Sequence, residues 1–196
     1  MELLTSLLIG LGLSAACGFR VFVPPLVMSA AALSGQLTLA PEFAWMGSYP
    51  ALIAFGAATL FEVGGYYVPW LDNLLDAIAT PAAIVAGTIT TASMVSEMGP
   101  LLSWTVAVIG GGGVAGVVQG ATVLIRGTST ATTAGLGNSG VSTGEAVGSV
   151  GLSVVAIAAP VVGAVLVAVL IVFAIRRILR WRRRRASPPQ GPSPEV

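Results

Sequence analysis

Five long apolar runs dominate this chain: Leu3 to Ser34, Ala51 to Val68, Leu71 to Val95, Leu101 to Ile125 and Ala146 to Ile175. Each is long enough to cross a bilayer, whose hydrocarbon core takes about 20 helical residues. In lipid the backbone must satisfy its own hydrogen bonds, so runs of this kind predict an all-α, polytopic membrane helical bundle. Charge tells the same story, because only 9% of the residues are charged, against about a quarter in a soluble domain.

Seven of the nine basic residues lie between Arg176 and Arg185, leaving Arg20 and Arg126 in the first 175 positions. The chain therefore divides into a multi-spanning membrane domain (1–175), a basic juxtamembrane segment (176–185) and a disordered tail rich in proline and serine (186–196). The positive-inside rule puts the C-terminus in the cytoplasm, and the Arg176 to Arg185 segment, with Trp181 at the interface, suits anionic lipid headgroups. Leu3 to Ala16 is read as part of the membrane domain and not as a leader, since no basic residue precedes it and the apolar pattern runs on past Cys17. Cys17 itself is expected to pack as a small apolar residue.

The first run holds 32 residues, which as one upright helix would reach roughly 48 Å against a core of about 30 Å. It must tilt, protrude or break, and Gly18 with Pro24-Pro25 supplies the means of breaking. Gly127 to Gly144 carries no charge and no proline but many hydroxyls. Small hydroxylated residues suit close helix packing, so this stretch is read as a short Gly/Thr-rich crossing or re-entrant segment, with an external loop as the alternative. The count is then about six membrane segments, or five with the loop. Six places both termini and Arg126 inside and the Gly35 to Pro50 connection outside. A shift of 102 positions lays Gly18 on Gly120, and Pro81 and Pro160, 79 apart, both fall in a third segment, which would make a three-plus-three inverted repeat of the kind found in secondary transporters. Gly110 to Gly113 lies inside an apolar run with no Lys-Ser/Thr after it, so it reads as a close-packing site and not as a phosphate loop. Trp45, Tyr49, Tyr66, Tyr67, Trp70 and Trp104 stand near run ends as an interfacial belt.

With no histidine, no lysine and one cysteine, a histidine base, a His/Cys metal cluster, a Schiff-base lysine and an internal disulfide are excluded. Chemistry falls to the ionisable residues inside the runs, since each charge in hydrocarbon costs at least about 2.5 to 3.5 kcal/mol. These are Arg20, Glu62, Asp72, Asp76, Arg126 and Glu145, an excess of two carboxylates that favours a proton or small cation over an anion. Glu62 lies deep in its run beside Gly64 and Gly65, as an ion site or as a partner of Arg20. Asp72 and Asp76 share a helix face after Pro69, Asp72 suiting the helix dipole and Asp76 a pair with Arg126. Glu145 is expected to cap the final helix or to join the site, and Thr132, Thr133 and Asn138 to offer neutral oxygen and amide ligands.

Gly18 to Pro24, Ala58 to Glu62 with Pro69 to Asp76, and Thr132 to Asn138 with Ser142 and Glu145 together resemble the bacterial membrane family called domain of unknown function 4126, over about Leu3 to Arg176. The resemblance implies a small multi-pass protein of the inner membrane and brings no activity with it. In that family an Asp-Lys pair tends to stand where this chain has Tyr66-Tyr67, and a proline where it has Ser139. Glu62-Val63-Gly64 is also loosely similar to a helix of the lysine-exporter superfamily and related cation exchangers, without the aspartate the exchangers carry nearby.

Three functions fit these residues. The first is an ion- or proton-coupled transporter or channel using Glu62 and Asp76, with Arg20 and Arg126 as counter-charges. The second is a structural or assembly protein whose buried charges only hold helices together, and the third an intramembrane enzyme acting on lipid. The expected protein is not an enzyme, needs no cofactor, leaves the identity of any metal unknown, and has the lipid bilayer and a small cation or proton as partners. Nucleic acid is not among them, and a homo-oligomer remains open.

Overall fold

The computed structural model describes residues 2–95, 98–133 and 135–186, with the side chains of 69–73 and 182–186 left aside. Among the described residues the chain is entirely helical, without strands: α1 (Glu2–Cys17), α2 (Val23–Leu33), α3 (Tyr49–Gly65), α4 (Pro69–Ala92), α5 (Pro100–Val106), α6 (Gly113–Thr133), α7 (Asn138–Ala158) and α8 (Pro160–Ala186). A short 3-10 helix, Pro41–Gly47, precedes α3, and a π-helical stretch, Ala107–Gly112, joins α5 to α6 without interruption. Prolines punctuate the sequence. Pro24, Pro50, Pro69, Pro100 and Pro160 stand in the first turns of α2, α3, α4, α5 and α8, where a missing N–H costs nothing and the fixed φ already suits a helix.

Among the described residues four helical stretches are long and apolar enough to cross a membrane, namely Leu74–Ala92, Pro100–Thr133, Asn138–Ala158 and Pro160–Trp181, and Pro41–Gly47 with Tyr49–Gly65 makes a fifth if that pair, bent by 67°, is taken as one. The first run breaks as expected at Gly18 and before the proline pair, but its halves do not continue in one direction. Gly10 lies against Thr91 and the Ser14 hydroxyl donates to the Gly87 carbonyl, so α1 runs antiparallel to α4. Then α2 turns back: the Ser93 hydroxyl at the end of α4 meets Met28, and Ala40 N–H donates to the Ser93 carbonyl. Ile9, Leu13, Met28, Ala31 and Met94 close this hairpin as one apolar cluster.

The Gly/Thr-rich stretch does not form a segment of its own. Its residues complete α6, turn at 135–137 and start α7, because small hydroxylated residues keep a helix going when their hydroxyls return to the preceding turn, as Thr128 does to Leu124 and Thr132 to Thr128. The proposed repeat also meets different surroundings, since Gly18 stands in the break whereas Gly120 lies within continuous α6, and Pro81 lies inside α4 whereas Pro160 begins α8.

Glycine sets the closest helix contact. A Cβ on Gly111 would collide with Thr91 Oγ1 and stand 2.5 Å from the Gly87 carbonyl oxygen, and one on Gly87 would stand 2.9 Å from the Gly111 carbonyl oxygen. The π-helical turn thus packs backbone to backbone on α4, as the glycine run predicted. Gly111→Ala is expected to lower stability by about 1–3 kcal/mol, read as an earlier thermal midpoint in detergent.

Antiparallel packing continues from α4 to α6 (Ile84 beside Gly116), from α6 to α7 (Arg126 beside Glu145) and from α7 to α8 (Gly163 beside Ala156), and α8 lies parallel to α6 with Ile178 beside Gly120. The α3–α4 and α6–α7 turns and the Arg176 end of α8 therefore share one end of the bundle, and the start of α1 and the loop after α2 share the other. Single cysteines in place of Glu2 and Gln36 should accordingly be alkylated from one side of the membrane and one at Gly137 from the opposite side. Labelling of all three from one side would contradict this arrangement.

Candidate functional site

A hairpin that turns inside a membrane exposes backbone donors to hydrocarbon, and here a carboxylate answers them. Val21 and Phe22 lead into α2, which begins at Val23 with Phe22 as its N-cap, so their N–H groups have no carbonyl to bond within the helix. Glu62, in the last turn of α3, accepts from Val21 N–H at 2.7 Å and from Phe22 N–H at 3.0 Å, one with each oxygen. Its charge sits at the positive end of the α2 dipole, where charge-assisted bonds are strongest. The break itself is seated against α6: a Cβ on Gly18 would lie 2.5 Å from Val118 Cβ and 2.7 Å from the Ala115 carbonyl oxygen.

Arg20, beside these amides, is 1% exposed. Its Nη2 donates to the Ser142 carbonyl at 2.9 Å and to the Ser142 hydroxyl at 2.5 Å, and lies 3.5 Å from Glu145 Oε2. Its Nε and Nη1 are buried without a hydrogen-bond partner among the described residues. Arg126, from α6, grips Glu145 with two nitrogens, Nε to Oε1 at 3.1 Å and Nη2 to Oε2, and donates through Nη1 to Asp76 Oδ1 at 3.1 Å. Such a forked pair fixes both side chains in one geometry. Tyr66 completes the cluster: the guanidinium carbons of Arg20 and Arg126 lie 4.1 Å and 3.8 Å from its ring centroid, within the range in which a desolvated cation gains from an aromatic face. One tyrosine and one glutamate thus serve two buried arginines.

The predicted pair of Asp76 with Arg126 is present, whereas the predicted pair of Glu62 with Arg20 is replaced by the two backbone amides. Glu145 is not a helix cap. It lies two turns into α7, which begins at Asn138, and binds both arginines. Thr132 and Thr133 are exposed, and their hydroxyls donate to Thr128 and Ser129 carbonyls of their own helix. Asn138 Nδ2 donates to Thr130 Oγ1 at 2.9 Å, tying the tip of the α6–α7 hairpin. These three polar residues stand at the turn, apart from the charged cluster, because a helix lifts them two turns above Arg126 and Glu145. The Asp72 side chain lies outside the described ones, as do those of Arg182 to Arg185, and the tail from 187 onward lies outside the described residues.

Two members of the cluster were absent from the expected site. Ser142 is three residues before Glu145 and shares its helix face, a spacing legible in the sequence. Tyr66 was assigned to the interfacial belt. Trp45, Tyr49, Tyr67 and Trp104 are exposed as a belt requires, and the Trp70 side chain is outside the described ones, but Tyr66 is buried. Cys17 is buried as expected.

A trough opens beside Glu62 where α3 and α4 diverge. One part, about 320 Å³, is lined by Val21, Phe22, Phe61, Glu62, Tyr66 and Ile78 among others; a second part, about 420 Å³, continues past Val21, Phe22, Ile78 and Ala82 to Phe55 and Trp45.

Helices long and apolar enough to span, closed over a buried ion-pair cluster, define a multi-pass membrane protein. The chain belongs to the family described as Domain of unknown function (DUF4126), whose pattern matches residues 7–180 and so includes every residue of the cluster. No curated protein and no solved structure matches the chain.

Removing Glu145 takes the shared carboxylate from two buried guanidiniums, so Glu145→Ala is expected to cost about 3–5 kcal/mol. Asp76, whose side chain is 21% exposed, should cost clearly less as Asp76→Ala. Denaturant-induced unfolding of both variants in one detergent gives the order, and equal losses would contradict it.

Proposed function

We propose that the protein is a small proton-coupled carrier of the inner membrane, not an enzyme, with the Arg176 end of the bundle cytoplasmic and Arg176 to Arg185 against anionic headgroups. The observation that carries this reading is Glu62: a buried carboxylate that holds the tip of a half-crossing hairpin through two charge-assisted bonds, with no arginine nitrogen within 4 Å among the described residues. Ionisable groups at membrane depth are costly and mark ion or proton pathways, and half-helices that end inside the bilayer build the sites of secondary transporters.

In the ionised state Glu62 fastens Val21 and Phe22. A proton on either oxygen removes the charge and leaves one good acceptor for two donors, which loosens the tip of α2 against α3. Arg20, Arg126 and Tyr66 face Glu62 from the α1–α2 turn, from α6 and from the end of α3, and Cys17 from α1. Arg126 stays tied to Glu145 and Asp76 through this change, so the response is confined to the α1–α2 hairpin and α3.

The same two bonds favour a second reading, in which Glu62 is solely the brace of α2 and the protein is an assembly factor. Proteoliposomes carrying a pH gradient separate the two when challenged with a panel of inorganic and organic cations. The carrier reading expects at least one class to collapse the gradient in wild type and at least tenfold more slowly in Glu62→Gln, with the variant still folded. No collapse with any member, together with a large stability loss in Glu62→Gln, would establish the brace and end the carrier reading.

A further inference from the structure

The trough between α3 and α4 has a chemistry that the ion-pair cluster does not use. Its two parts share Val21, Phe22, Ile78 and Ala82, so they form one continuous cleft. It follows α4 from Leu75 to Ile89, about 21 Å at the helical rise. Its walls are almost wholly apolar, yet five of them are aromatic: Phe22, Trp45, Phe55, Phe61 and Tyr66. Among the described residues Glu62 is the one ionisable carboxyl on the wall, 9% exposed.

Charge says what such a cleft lacks. Among the described side chains of the cluster, Arg20 and Arg126 face Asp76, Glu145 and Glu62, two positive groups against three negative. Both arginines are engaged with Glu145, and Asp76 is held by Arg126. The carboxylate left over is Glu62, which has backbone amides on one side and the trough on the other. Each carboxylate oxygen has a second lone-pair site. A neutral acyl chain would leave the trough-facing side of that carboxylate without a polar partner in an apolar cleft. A second helix would offer nothing to aromatic faces in particular. An apolar body bearing a positive charge answers both features, since aromatic faces attract desolvated cations and a buried carboxylate needs a counter-charge.

We infer that the α3–α4 trough binds a lipophilic organic cation, its apolar body against Phe22, Phe55, Phe61 and Trp45 and its charge beside Glu62. This rests on the carrier reading for its role, naming the substrate class that would exchange with a proton at Glu62, but it makes a claim about binding that stands apart from flux.

The test is equilibrium binding of tetraphenylphosphonium to the full chain in nanodiscs, with empty discs as blank and tetraphenylborate as the charge-inverted match of the same shape. Expected is saturable binding of the cation, none of the borate, and affinity at least tenfold weaker in Glu62→Gln. Because Glu62 also braces α2, a second variant, Ala82→Phe, fills the trough from a partly exposed position of α4 and should weaken binding as much in a folded protein. Equal binding of cation and borate, no saturable binding in wild type, or cation binding unchanged by Ala82→Phe would each overturn the proposal. Binding without gradient collapse would refute the carrier and keep the site, and collapse by small inorganic cations without tetraphenylphosphonium binding would do the reverse.

Discussion

A backbone donor inside a bilayer has no water to turn to, and the architecture of this protein follows from how it meets that constraint at Val21 and Phe22. The first apolar run is too long to cross once, and Pro24-Pro25 can only begin a helix, so the run folds back on itself and leaves two amides pointing along the axis of α2. Glu62 reaches across from α3 to accept both. That contact ties α3 to the hairpin tip, while Ile53, Leu60 and Phe61 of the same helix are exposed. Without a carboxylate at this place the hairpin tip would carry unsatisfied groups worth several kcal/mol.

The other charges extend the same logic. Once Glu62 is committed to the backbone, Arg20 has no carboxylate of its own and turns to Ser142 and Glu145 on α7, while Arg126 on α6 holds Glu145 and Asp76. Six helices or helix ends converge on one knot of ion pairs, and the Tyr66 ring lies against both guanidiniums. Buried ion pairs of this kind contribute little net stability against an apolar alternative, although breaking one is costly. Their presence is better explained by what they do. In the proposed reading the cluster, with one carboxylate in excess among the described side chains, lies beside an aromatic cleft where a proton and an organic cation would compete for one negative charge.

Packing elsewhere keeps that knot in register. Gly87 and Gly111 let α4 and the π-helical turn touch through their backbones, and the Ser14 hydroxyl of α1 bonds across to the Gly87 carbonyl and to the Thr90 and Thr91 hydroxyls of α4 at the same level. In lipid, close contact and short hydrogen bonds do the work that apolar burial does in water. The large side chains instead point outward, which is why so many valines, leucines and isoleucines of α8 are exposed.

Much was written in the order of residue types. Apolar runs, prolines at helix starts, a break at Gly18 and a glycine stripe inside an apolar run specify helices, their ends and one tight contact, because these depend on local backbone chemistry and on the cost of polar groups in hydrocarbon. Scarcity of charge likewise singled out Arg20, Glu62, Asp76, Arg126 and Glu145 as the residues to watch, and membership of the family agrees with the motifs around them. Partners were a different matter. That Glu62 binds amides instead of Arg20, that Tyr66 leaves the interface for the cluster, that Thr132 and Thr133 stand apart from it, and that α2 turns back beside α1 are all set by which helix lies next to which. Periodicity along one chain carries no information about neighbours more than forty residues away, and a carboxylate chooses between an arginine and a helix end only when both are brought within reach.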